Sequence, residues 1–347
     1  MTRKAITAQN LTPLQARILT MIQQDFPVES HPYRIIGEAC GVDEDQAFGS
    51  VRVLCDQGII RRVGATFDSS RLGYVSTLSA LAAPEDDIER MADIVSTYTE
   101  VTHNYQRDNR FNIWFTTIAP SEDRLEQILS EIVEKTGCAD LINLPIQRYY
   151  KLRVNFDLTG EHAGTAGGGS SHGTPGPGGA PVPLTERDKM IIRFLNGDIS
   201  PQIEPYAWLA TVLTEVGFPT SEHEVIDRIK FLRDEGAIRR VGVLVRHHSV
   251  GVKANAMTVW NIPDGEIDQA GAILAESPNV THCYCRARGP RWPHNLYAMV
   301  HASSKDLCRE IAQDLHEQLV GAGVHAEPPL QLFSTREFAK RSPKYFF

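Results

Sequence analysis

The sequence is short of several things, and each shortage excludes a class of protein. Six cysteines in 347 residues are too few for a disulfide framework, so reduced thiols and a cytoplasmic setting are expected. No apolar run approaches the roughly 18–20 residues that cross a bilayer, so no membrane partner is expected. The stretch from Met1 to Gln15 has two basic residues but no apolar block, and no signal peptide is read there. Positive charge is also scarce: 35 Lys and Arg against 43 Asp and Glu leave a net charge of −8. Such a chain lacks the global positive field of a non-specific nucleic-acid binder. The remaining composition, 42% hydrophobic and 22% charged, fits a folded chain. At roughly 100–200 residues per domain it has room for two or three domains.

The segment Gly160–Val182 reads GEHAGTAGGGSSHGTPGPGGAPV, in which nine of 23 residues are Gly. It has no apolar content for a core and is expected to be a flexible linker. Without a preceding strand and a following helix it is not a phosphate loop. Its flanks are similar to one another. Leu11-Thr12 opens one stretch and Leu184-Thr185 the other, and Gly58-Ile-Ile-Arg-Arg-Val-Gly64 matches Gly236-Ala-Ile-Arg-Arg-Val-Gly242. Val101-Thr-His-Asn-Tyr-Gln-Arg107 matches Val280-Thr-His-Cys-Tyr-Cys-Arg286, in the same order and at nearly the same offset. The chain therefore reads as two copies of one unit, a covalently fused dimer with an isologous-type contact between them. A further homo-oligomer is left open.

Each copy opens with helices. Leu14, Ile18 and Ile22 share one face. A short helix follows over Tyr33–Cys40, with Gly41 as C-cap, then a third capped by Asp43 and carrying Ala47, Val51 and Leu54. A strand begins at Ile59. Three helices and a β-hairpin read as a winged helix-turn-helix. The rest of each copy alternates as βαββαβ, the order of a ferredoxin-like fold. The expected class is thus α+β, a tandem duplication of winged helix-turn-helix plus ferredoxin-like domain. Expected bounds are 1–72 and 73–159 for the first copy, 160–182 for the linker, and 183–250 and 251–347 for the second.

A recognition helix that meets DNA needs Lys or Arg for the phosphates. Asp43–Gln57 sets Asp43, Glu44, Asp45 and Asp56 against Arg52 alone, and Ser221–Glu235 is also net negative. DNA is therefore disfavoured as a partner. Arg61-Arg62 and Arg239-Arg240, on the expected wings, are the best phosphate candidates left, and could equally face an anionic ligand or simply be solvated.

The repeated H-x-Y-x-R segments carry the most chemistry. Period-2 alternation puts His103, Tyr105 and Arg107 on one strand face, and likewise His282, Tyr284 and Arg286. In the second copy the other face holds Thr281, Cys283 and Cys285, which can pack under helices and leave the triple on the open face. In the first copy the other face holds Thr102, Asn104 and Gln106, and the assignment stays open. Beyond the triples lie Arg110, Phe111, Asn112, Trp114 and Phe115 in one copy. The other has Arg288, Arg291, Trp292, His294, Asn295, Tyr297 and His301, on a loop four residues longer that could act as a clamp. Cys283-x-Cys285 lacks the spacing of a zinc or redox pair. The adjacent His247 and His248 point to opposite sides of a strand. No dedicated metal site is expected.

A winged helix-turn-helix followed by βαββαβ resembles the Lrp/AsnC family, whose first domain binds DNA and whose second binds amino acids and oligomerises. The H-x-Y-x-R strands, Arg110–Thr116, Gly289–Tyr297 and Ser334-Thr335-Arg336-Glu337-Phe338 resemble one branch of it, the siroheme decarboxylases of heme d1 synthesis and the alternative heme pathway. The fused form resembles the version found in denitrifiers. The resemblance implies conversion of siroheme to 12,18-didecarboxysiroheme with loss of two CO2. It implies no cofactor beyond the iron tetrapyrrole, whose iron enters with the substrate. Such a macrocycle is ringed by carboxylates, which the Arg fork suits. A proton must replace each CO2, and His is the natural donor near neutral pH. The expected catalytic groups are His103 and His282, acid/base or iron-facing, with Tyr105 and Tyr284 orienting them and His294 as a further candidate. Arg107, Arg110, Trp114, Arg286, Arg288, Arg291, Trp292 and Tyr297 are expected to bind substrate. The competing readings are a regulator that senses heme or an amino acid and a tetrapyrrole carrier without catalysis.

Overall fold

A computed structural model describes residues 11–152, 179–197, 201–245 and 254–347. The chain divides into two compact units, and each draws on both copies. One comprises Met1–Leu72, Ala180–His248 and Lys344–Phe347; the other comprises Gly73–Gly179 and Ser249–Pro343.

The first unit holds two helix triplets: α1 (Pro13–Gln24), α2 (Pro32–Cys40) and α3 (Glu44–Asp56), then α6 (Glu186–Asn196), α7 (Pro205–Glu215) and α8 (Glu222–Asp234). Local chemistry sets their ends. Thr12, Asp43, Thr185 and Ser221 each close a reciprocal capping box, and Gly41 ends α2 at φ 74°. The expected hairpin wing is absent among the described residues. Each copy instead contributes one strand, β1 (Ile60–Phe67) and β6 (Ile238–Val245), and the two pair antiparallel with each other. Gly64 faces Gly242 in that register. Both glycines allow close approach: a Cβ on Gly64 would lie 2.5 Å from the Leu195 carbonyl of α6, and one on Gly242 3.0 Å from the Ile22 carbonyl of α1. Tyr345 is buried in this unit, with its hydroxyl 2.7 Å from Ser69 Oγ.

The second unit is a closed eight-stranded barrel in the order β10-β3-β4-β2-β5-β8-β9-β7. The first copy supplies β2 (Val75–Leu81), α4 (Ile88–Thr97), β3 (Val101–Arg107), β4 (Ile113–Ala119), α5 (Glu122–Thr136) and β5 (Leu141–Leu152). The second supplies β7 (Ala254–Trp260), α9 (Ile267–Glu276), β8 (Val280–Arg286), β9 (Leu296–Ala302), α10 (Lys305–Gly321) and β10 (Leu330–Lys340). The βαββαβ order holds in both. The last strand of each copy runs past its own sheet and pairs with the H-x-Y-x-R strand of the other, β5 with β8 and β10 with β3. Each sheet has a helix-covered core outside the barrel. A third apolar cluster draws on both copies, with Leu78, Ala80, Phe111, Trp114, Ile142 and Leu144 against Met257, Val259, Trp292, Tyr297 and Leu332. An eight-stranded barrel has an interior that side chains fill or that holds one small ligand.

Most of the linker segment, the His247–His248 pair and the side chains of Arg61 and Arg62 lie outside the described residues. The linker's described end does not behave as a tether. Val182 is buried, its N–H donates to the Arg71 carbonyl at 2.9 Å, and Arg71 donates to the Ala180 carbonyl.

Candidate active site

Both H-x-Y-x-R triples face the barrel interior. In β8, Cys283 and Cys285 belong to the core under α9 and α10, so alternation turns His282, Tyr284 and Arg286 inward. The Cys283 thiol is pushed up to about 12 by burial, which makes it inert at neutral pH. In β3 the polar outer face also packs: Asn104 Nδ2 donates to the Ala92 carbonyl and to Ser96 Oγ of α4, both at 3.0 Å. The first-copy assignment left open by the sequence is thereby settled. β3 and β8 stand four places apart either way around the barrel, so the triples oppose each other across it.

The two arginines are held alike. Arg107 Nη1 donates to the Leu332 carbonyl at 2.6 Å, and Arg286 Nη1 to the Leu144 carbonyl at 2.9 Å, each across the intercopy strand pair. Both are buried, and both Nε atoms are buried with no hydrogen-bond partner. Burial lowers Arg107 to about 10, which leaves it a cation at neutral pH, and moves Arg286 in the same direction. Arg286 also sits 5.3 Å from the Tyr284 ring centroid and 5.6 Å from that of Tyr297.

The surroundings of the triples differ. Lys340 of β10 stands opposite His103 and Glu337 opposite Tyr105. Burial, aided by the Lys340 charge, holds His103 below the usual imidazole range, while Glu337 opposes this. Burial and the Glu337 carboxylate push the Tyr105 phenol above its ordinary range. In the second copy Tyr149 takes the position opposite Tyr284, with ring centroids 5.1 Å apart. Glu337, Lys340 and Tyr149 are neighbours the sequence reading missed. They sit on strand extensions whose partner belongs to the other copy.

Several of the expected substrate contacts pack against, or pair with, groups of the protein itself. Trp114, Trp292 and Tyr297 are core residues of the barrel interior. Trp114 donates its indole N–H to the Phe111 carbonyl and Trp292 to Tyr297 Oη, both at 2.7 Å. Buried indole and phenol groups need such partners, which is why they turn inward. Arg110 and Arg291 converge from the two copies on Asp140, and Arg288 pairs with Asp264 at 2.6 Å. The longer loop is therefore anchored to protein carboxylates, with Trp292 edge-on to Phe111 and Trp114 as a plug. His294 lies 4.8 Å from the Trp292 ring at this plugged end, its Nδ1 buried without a partner.

The described phosphate candidates of the helical unit, Arg239 and Arg240, are paired within the protein. Arg239 donates to Asp68 at 2.8 Å and Arg240 to the Gln23 carbonyl. On α8, Arg228 grips the buried Asp188 through two bonds, Lys230 pairs with Glu29 and Arg233 with Asp25. Among the described residues no group of three or more His, Cys, Asp or Glu could hold a metal ion, and no helix is long and apolar enough to cross a membrane.

The fold and its paired inward strands define a two-copy protein of the AsnC-like class. The AsnC-like ligand binding domain matches residues 71–151 and 249–339, and the siroheme decarboxylase NirDL-like HTH domain matches 15–61. The siroheme decarboxylase NirDL subunit of Paracoccus pantotrophus is 34% identical, over 94% of this chain and 96% of its own. A siroheme decarboxylase of Hydrogenobacter thermophilus is 29% identical over 95% of this chain and 94% of its own. The crystal structure of the siroheme decarboxylase NirDL in co-complex with an iron-uroporphyrin III analogue superposes with a TM-score of 0.72 at 27% identity, covering 96% of this chain and 95% of that one. The chain belongs to the siroheme decarboxylase family.

Proposed function

We propose that this protein converts siroheme to 12,18-didecarboxysiroheme by releasing two CO2, as a step of heme d1 synthesis in the cytoplasm. The observation that carries the reading is the pair of inward His-Tyr-Arg triples, each with a buried, charged arginine whose Nε has no partner within the protein. A cation left short of hydrogen bonds in a desolvated position suits an anionic ligand. In this reading Arg107 and Arg286 orient carboxylates of the substrate. His103 or His282 supplies the proton that replaces a departing CO2. The conjugated macrocycle takes up the electron pair, so the protein needs only to bind, orient and protonate. Tyr105 and Tyr284 hold the imidazoles in place, with the His103 and Tyr105 rings stacked at 6.1 Å. A regulator is opposed by the acidic α3 and by the internal pairing of Arg228, Lys230, Arg233, Arg239 and Arg240.

The test is anaerobic incubation of the purified protein with siroheme, followed by mass spectrometry. Stepwise loss of two CO2 is expected. Siroheme that binds and stays intact would instead indicate a sensor or carrier.

A further inference from the structure

Adjacent residues in a strand point to opposite faces, yet Thr281 and His282 touch, with Thr281 Oγ1 2.8 Å from His282 Nδ1. The cause is a slip in register between β8 and β9 at Val280/His282. Such an irregularity re-aims a side chain. The same hydroxyl lies 2.9 Å from His301 Nε2. His301 follows Tyr297 and Met299 along the inward face of β9, while Val300 and Ala302 belong to the helix-covered core. The result is a continuous line, His282–Thr281–His301. A hydroxyl donates and accepts at once, so it can link two imidazoles.

The first copy starts the same line and does not finish it. β3 slips against β4 between Val101 and His103, and Thr102 Oγ1 lies 3.0 Å from His103 Nδ1. That hydroxyl donates onward to the Thr116 carbonyl at 3.3 Å. The position matching His301 is Ile118. A carbonyl has no proton to pass on.

We propose that Thr281 and His301 are positioning residues that relay a proton to His282, so that only the second copy has a wired proton donor. The inference rests on the siroheme decarboxylase reading. In the step, the bond from an acetate carbon to its carboxylate breaks and CO2 leaves, with the electron pair held by that carbon and the macrocycle. His282 gives its Nε2 proton to the carbon. Its Nδ1 takes the Thr281 hydroxyl proton, Thr281 takes the Nε2 proton of His301, and half-buried His301 takes one from solvent. One solvent proton thus replaces one CO2, and nothing is oxidised or reduced. After product leaves, Nε2 regains a proton from water and the line returns one to solvent. Burial holds His301 below the usual imidazole range, which keeps it neutral with an N–H to donate.

The experiment compares wild type with His301→Ile, Thr281→Val, Thr281→Ser and the double variant H301I/T281V. It reads siroheme affinity by absorbance titration and each CO2 loss under single turnover. Positioned proton transfer typically contributes about 10²–10⁴-fold. We expect H301I to bind siroheme as wild type does, to slow one CO2 loss by about 10-fold or more, and to accumulate singly decarboxylated product. T281V should match it, the double variant should be no slower than either single, and T281S should recover most of the rate. Wild-type rates for both steps in H301I, weakened siroheme binding in H301I, or losses that multiply in the double variant would overturn the relay. Failure of the wild-type protein to release CO2 would remove the underlying reading instead, and the relay with it.

Discussion

Arg286 and Arg107 are expensive residues. Burying a cation costs several kcal/mol after relaxation, and a charged hydrogen bond returns about 1.5–3 kcal/mol. The bond to Leu144 or Leu332 and the aromatic faces do not fully offset that cost. Arg286→Met and Arg107→Met should therefore leave thermal stability within a few degrees of wild type, or raise it. Each should weaken siroheme binding at least ~10-fold if its fork holds a carboxylate. A large fall in melting temperature with unchanged binding would make these arginines structural. The histidines give a second prediction. Burial lowers His103, His294 and His301 in the folded chain, whereas unfolded histidine titrates near about 6.5. Below that pH the unfolded state binds protons that the native state refuses. Stability is then complete above about pH 6.5 and falls as pH drops toward the lowered native values. The limit is about 1.4 kcal/mol per pH unit for each histidine. Urea denaturation at about pH 7.5 and 5.5 checks this, and His103→Gln should flatten the fall. Equal stability at both pH values would contradict it.

At the scale of elements, the close approaches of β1 and β6 make a ranked prediction. A methyl group on Gly64 meets a backbone carbonyl at 2.5 Å, whereas on Gly242 the contact is 3.0 Å. Neither carbonyl can swing aside as a side chain would, and overpacking typically costs about 1–3 kcal/mol. Gly64→Ala should destabilise more than Gly242→Ala in chemical denaturation, and the reverse order would show that the helices yield more easily than the strands. The same elements mark what could be read in advance. The capped helices and the βαββαβ order were legible because capping boxes and amphipathic periods are local signals. The strand ends were not. β5 runs on through residues 147–152 and β10 through 334–340. Those stretches find their partners in the other copy, which no local pattern encodes. The pairing of β1 with β6, where a wing hairpin was expected, has the same origin. The candidate site was legible as two triples, because a repeated pattern survives without tertiary knowledge. That Trp114, Trp292 and Tyr297 pack as one apolar cluster was not legible, because an aromatic near a polar motif reads the same whether it walls a ligand or plugs a barrel.

For the molecule as a whole, duplication is a requirement for closure. Neither copy can shut the barrel: β3 needs β10, β8 needs β5, and the interior cluster takes residues from both. A single copy would expose unpaired strand edges and one side of that cluster, a template for aggregation. The covalent connection makes pairing of the copies an intramolecular event and so raises the partner's effective concentration. Suppose the chain is split within 160–178 and both halves are made. Each half alone should aggregate. Co-expressed halves should form a one-to-one complex with siroheme turnover close to that of the intact chain. The difference should appear on dilution, with turnover per complex falling for the split pair and staying constant for the single chain. Sedimentation and turnover across a dilution series measure both quantities. A half that stays soluble, monomeric and active would show that the intercopy strands decorate a barrel they do not build. Turnover of the split pair that ignores dilution would instead mean that strand exchange and the shared core bind the copies so tightly that the connection adds nothing to closure.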